Sequence, residues 1–107
     1  MEIAFSTKAL RSLAESRSLA ARILGTNVAL ALHAQLADID AADTPEELPL
    51  GFTVSDFSTS QIVLPLADDY VAVLQSNHSR DREAQGKANV QWGRVRRIKL
   101  VEVVKKK

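Results

Sequence analysis

Hydrophobic residues change their spacing once along this chain, and the change divides it into two parts. Leu10, Leu13, Leu19, Ile23 and Leu24, and then Val28, Ala29, Leu32, Leu36 and Ile39, recur at helical spacings, the period of helices that bury one face. From residue 52 onward apolar positions alternate instead, the period of strands. Residues 2–5 form a short strand before the first helix, which Ser6 or Thr7 caps by accepting from free backbone N–H groups. Gly25, tolerant of left-handed geometry, stops that helix, and a break near 16–18 is compatible with the pattern. The second helix covers 26–42, with Gln35, Asp38 and Asp40 outside its stripe. Thr44, Pro45 and Glu47 then spell a capped helical turn, which Pro49 and Gly51 end.

Strands are expected over 52–57, 61–66, 70–75 and 94–104, with a hairpin turn at 67–69. Pro65 cannot donate to a ladder and belongs at an edge or bulge. Residues 76–91 are polar, without a periodic face, and read as an exposed loop. The order predicts an α+β fold with an N-terminal strand and two helices packed on one face of a mainly antiparallel sheet. In the last strand, alternation groups Arg97, Lys99, Val101 and Val103 on one side. Ile98, Leu100 and Val104, with Arg94, Arg96 and Glu102, fall on the other.

The strand at 70–75 departs from the half-polar pattern. Val71 and Val73 lie opposite Tyr70, Ala72 and Leu74, so both of its sides are apolar. Such a strand is either central and buried, or covered on its open face by the segment of a partner chain, by a second copy of this chain or by the loop at 76–91; Val71 and Val73 are the contact residues for a partner.

Composition narrows the picture further. A length of 107 residues with 46% hydrophobic content suits one domain over 1–107. The chain has no cysteine, which excludes thiolate metal sites and cysteine nucleophiles and is compatible with a reducing compartment. Met1–Phe5 carries no basic leader, and no stretch reaches the ~20 apolar residues of a membrane span, so a cytoplasmic protein without membrane contact is expected. No cofactor is implied: His33 and His78 lack a second ligand at metal spacing, and Asp38, Asp40, Asp43, Glu46 and Glu47 read as a solvated helix end.

The net charge of +1 conceals an uneven distribution. Residues 23–79 contain eight acids and no Lys or Arg, whereas residues 80–107 contain ten bases and three acids. A basic end of this kind suits a polyanion or an oppositely charged partner surface. Arg97 and Lys99, projecting together, either bind phosphates or form the solvated side of an ordinary strand. Lys105, Lys106 and Lys107 read as a solvated tail, Tyr70 and His33 as packing residues.

Three segments resemble a known family. "MEIAFSTKALRSL", Leu24-Gly25 before a helix ending "LADIDAADTPEELP", and "VQWGRVRRIKLVEV" are similar to the RelE/ParE superfamily of bacterial toxins, in its HigB-like branch. The similarity covers roughly residues 1–50 and 90–104. It implies a toxin held inactive by a co-encoded helix-turn-helix antitoxin, acting when free as a ribosome-dependent messenger-RNA endoribonuclease. Arg96, Arg97 and Lys99 would then contact RNA, with Arg97 and His78 as catalytic residues and Trp92 as the family's packing anchor. The family's arginine after the hairpin is replaced by Val71, and residues 55–66 contain no base. A basic residue from 80–87 is one replacement for that charge. The alternative is a binding module without catalysis that retains antitoxin binding or homo-oligomer formation, or acts on a protein target.

Overall fold

The computed structural model describes residues 1–54, 60–77 and 92–106. Strand β1 (Glu2–Phe5) leads into helices α1 (Lys8–Glu15), α2 (Arg17–Leu24) and α3 (Thr26–Ala41). Strands β2 (Thr53–Val54), β3 (Gln61–Pro65), β4 (Tyr70–Ser76) and β5 (Arg97–Lys105) follow. They form one five-stranded sheet in the order β1-β5-β4-β3-β2. Its neighbours are antiparallel except β1 and β5, which run parallel. The α+β class is as expected, and the sheet is mixed.

The first helix is two helices, and Ser16 causes the break. Its backbone is extended, its N–H closes α1 onto the Ser12 carbonyl, and its hydroxyl accepts from Leu19 N–H at 3.1 Å to open α2. One serine therefore ends one helix and caps the next. Thr7 caps α1 in the same way through Leu10 N–H. Gly25 separates α2 from α3 at φ +90°, a conformation that side-chain-bearing residues rarely adopt. His33 ties α3 to α1, because its Nε2 lies 2.8 Å from the carbonyl oxygen of Leu13, to which an Nε2–H donates.

Two positions on the helical face differ from the simple stripe. Ile23 is 60% exposed although its spacing places it with the core, while Gln35, outside the stripe, is buried. Its amide donates to the Pro65 carbonyl at 3.0 Å, tying α3 to the end of β3. This bond lets a polar side chain occupy the core. The Pro45–Glu47 turn is a 3-10 turn held by backbone bonds, and the Thr44 side chain does not cap it. The α-ammonium of Met1 donates to the carbonyl oxygens of Ile39 and Ala42 and joins the start of β1 to the end of α3, where a cation complements the helix dipole.

The core lies between the helices and one side of the sheet, built from Leu32, Ile39, Ile62, Leu64, Leu74, Ile98 and Leu100. Trp92 belongs to it, its ring 5.8 Å from that of Phe52. The last strand begins at Arg97, later than its pattern suggests, because Trp92–Arg94 forms a 3-10 turn ahead of it. Of the strand expected over 52–57, Thr53–Val54 is described, and 55–59 lie outside the described residues. At the hairpin tip Asp68 and Asp69 both take positive φ, 54° and 65°, a turn whose twist matches the flanking strands.

Candidate functional site on the open sheet face

The side of the sheet away from the helices is set by a bulge in β5. Leu74 pairs with Leu100 but Val73 pairs with Glu102, so Val101 is an extra residue in that ladder. Beyond it the alternation reverses. Val103, opposite buried Ala72, packs against the core, while Glu102 and Val104 turn to the open face opposite Val73 and Val71. This corrects the simple alternation, which grouped Val101 and Val103 with Arg97 and Lys99. A single inserted residue inverts every later side chain, and periodicity alone does not show where the insertion falls.

Two zones result. At one end, the row Ala4, Lys99, Gln75 and Gln61 crosses the sheet in register, with Gln61 Nε2 donating to Gln75 Oε1 at 3.4 Å. Beyond it lies the pair Glu2 and Arg97, joined by a salt bridge of 3.1 Å. Arg96 sits before β5, at the lip of a shallow hollow lined also by Met1, Glu2, Asp43 and Arg97. At the other end the face is apolar. Val63, Pro65, Val71, Val73 and Val104, with Phe52, Val54 and Leu50, line a groove of about 550 Å³; Thr53 and Gln61 are polar members of its wall, and Glu102 and Lys106 edge it on the β5 side. Leu50 and Val54 are 68% and 40% exposed.

The structure therefore brings Val71 and Val73 together with Arg97 and Lys99 on one face, in separate zones. Tyr70 shares the helix side of β4 with Ala72 and is half-buried. His78 and the basic residues of 80–87 lie outside the described residues, as does Lys107. Among the described residues no group of three His, Asp or Glu side chains is placed to hold a metal ion, and no described helix is long and apolar enough to cross a membrane. The groove's rim residues Leu50 and Val54 and its wall residue Val63 were not singled out from the sequence. The clue was available in the matching alternation of Val63 with Val71 and Val73.

The Glu2–Arg97 pair contributes little to stability, since its side chains are 76% and 61% exposed and water screens such pairs. Arg97→Ala is expected to shift the free energy of unfolding by less than about 1 kcal/mol, as read by urea denaturation. A functional loss in that variant would then report on contact rather than folding.

A second apolar hollow lies between α2 and α3, lined by Ala21, Ala29, Leu30, His33, Ala34 and Ala37 with Arg17, Ser18 and Thr26 at its margin. None of the residues singled out from the sequence for function lies there. Comparison of this chain with protein-family models, with curated proteins and with solved structures found no match.

Proposed function

We propose that this chain is the toxin component of a bacterial toxin–antitoxin pair of RelE/ParE, HigB-like type, and that it works by protein contact through the open face of its sheet. The observation that carries the reading is the apolar zone. Val71, which stands where the family has its arginine, belongs to a row with Pro65 and Val104 that continues into Val63 and Val73. A row of valines offers neither a proton nor a charge to a phosphate, and it suits the burial of another chain's apolar residues. The layout supports the family part of the reading: an N-terminal strand parallel to the last strand, helices packed on one face, and no described helix on the other. A co-encoded helix-turn-helix antitoxin is the partner this reading implies.

One observation favours a second reading, in which the protein is a ribosome-dependent messenger-RNA endoribonuclease. Arg97 and Lys99 share the open face in adjacent rows, about 7 Å apart along the strand, a spacing that serves successive phosphates.

Induced expression in a host without a cognate antitoxin, with mapping of new 5′ ends in cellular RNA, separates the two. Contact through the apolar zone predicts growth arrest with an unchanged RNA map, retained in the Arg97→Ala, Lys99→Ala double variant. New RNA ends that vanish in the double variant would establish the nuclease instead. Normal growth of cells holding soluble, folded protein would reject both.

A further inference from the structure

Helix α3 buries one face in the core and leaves an uncharged stripe on the other. Asn27, Leu30, Ala34, Ala37 and Ala41 are all exposed, and they recur at intervals of three, four, three and four. That is the spacing of a seam by which one helix packs on another. Leu30 projects from it, 62% exposed, at the edge of the hollow of about 530 Å³ between α2 and α3, whose walls include Ala34 and Ala37. A projecting leucine and an alanine-lined hollow on one patch are the two halves of a knob-into-hole contact, and a two-fold axis brings each half to the other.

The charges around the stripe point to the same partner and set its direction. Towards its C-terminal end α3 carries Asp38 and Asp40, and it has no Lys or Arg. Arg22 lies in the last turn of α2, three residues before the Gly25 bend into α3. The pair of helices is therefore basic at the bend and acidic at the far end of α3, with Arg17 between them at the margin of the hollow. Neither Arg22 nor Asp40 forms an ion pair with another described residue. Antiparallel copies bring Arg22 of each towards Asp40 of the other, whereas parallel copies set like charges together.

We propose that this chain forms a two-fold dimer through α3, packed antiparallel on a second copy. Leu30 of each copy sits against Ala34 of the other, Asn27 against Ala37, and Arg22 faces Asp40. This register interlocks the seam and puts the acidic end of one α3 beside the bend of the other. The helices cover the side of the sheet opposite the valine groove, so the dimer leaves both open faces free, and the inference stands apart from the toxin reading.

Sedimentation of the full chain over a range of concentrations should show a monomer–dimer equilibrium. Leu30→Glu should weaken it at least about tenfold, with circular dichroism showing the variant folded. Arg22→Glu and Asp40→Arg should each weaken it at low salt, and the two together should restore it. Because the chain has no cysteine, introduced thiols report the register. Oxidation should link the Asn27→Cys, Ala37→Cys double variant into a covalent dimer. Neither single variant should link, since antiparallel packing holds its two thiols about 15 Å apart along the helix at ~1.5 Å per residue. A chain that stays monomeric at every concentration would leave α3 to a different protein and overturn the proposal. So would a dimer indifferent to Leu30→Glu, a dimer that Val71→Asp dissolves, which would place the contact on the sheet, or single variants that link as readily as the double one.

Discussion

Deletion of Val73 is expected to abolish folding, whereas deletion of Val101, in the neighbouring strand, leaves the fold intact at a cost of about 1 kcal/mol or less. The two valines differ in what the ladder does with them. β3 and β4 pair without interruption from Gln61–Gln75 to Pro65–Val71, so removing Val73 makes Ala72 and Leu74 adjacent and forces one of two buried side chains onto the open face. Val101 is the extra residue of the bulge. Without it, Leu100 and Glu102 follow one another facing opposite sides, which is the alternation their partners Leu74 and Val73 already have. Circular dichroism and urea denaturation of the two deletion variants check this. Equal loss in both would mean that the bulge does not set the two faces of β5.

The second large effect lies one residue away. Leu100→Ala is expected to cost roughly 2–5 kcal/mol, the range for emptying a large aliphatic site in a close-packed core. Leu100 is fully buried and stands in register between Phe5 of β1 and Leu74 of β4. Its loss opens a space beneath the helices where the parallel and antiparallel ladders meet, and rigid neighbours fill such spaces only partly. Whole domains are stable by only about 5–15 kcal/mol, so the change removes a large share. The expected signature in urea is a much lower midpoint with an unchanged slope. A loss below about 1 kcal/mol would mean that the sheet is not packed around this residue.

Much of this fold was legible in the chain because local rules dominated it. The α3 stripe, the Gly25 stop, the hairpin at Asp68–Asp69 and the strands at 61–65 and 70–76 follow from periodicity and turn chemistry, which act over a few residues. What escaped depends on tertiary context. Ser16 works as both a stop and a cap, so a break that was compatible with the pattern became two helices. Gln35 is buried because Pro65, thirty residues later in sequence, presents a carbonyl to it. The bulge at Val101 exists only against β4, and it decided which valines of β5 face the core. For the site, the apolar character of Val71 and Val73 was readable directly, and so was the shared projection of Arg97 and Lys99. The groove itself was not, because the pairing of β2 with β3, which sets Thr53 beside Val63, brings the segment of Leu50, Phe52 and Val54 to its rim.

The central claim is that the apolar zone, and not the basic row, is the working surface. It is tested most directly by inducing the parent chain, Val71→Asp, and the Arg97→Ala, Lys99→Ala double variant in parallel in an antitoxin-free host and following growth. Val71 is half-buried on the open face, so aspartate there should cost the fold only about 1 kcal/mol while placing a charge amid the valines. Denaturation and soluble yield confirm that all three proteins are folded. The account predicts arrest by the parent and by the double variant, and normal growth with Val71→Asp. Arrest by folded Val71→Asp, with the double variant harmless, would contradict it and assign the activity to Arg97 and Lys99.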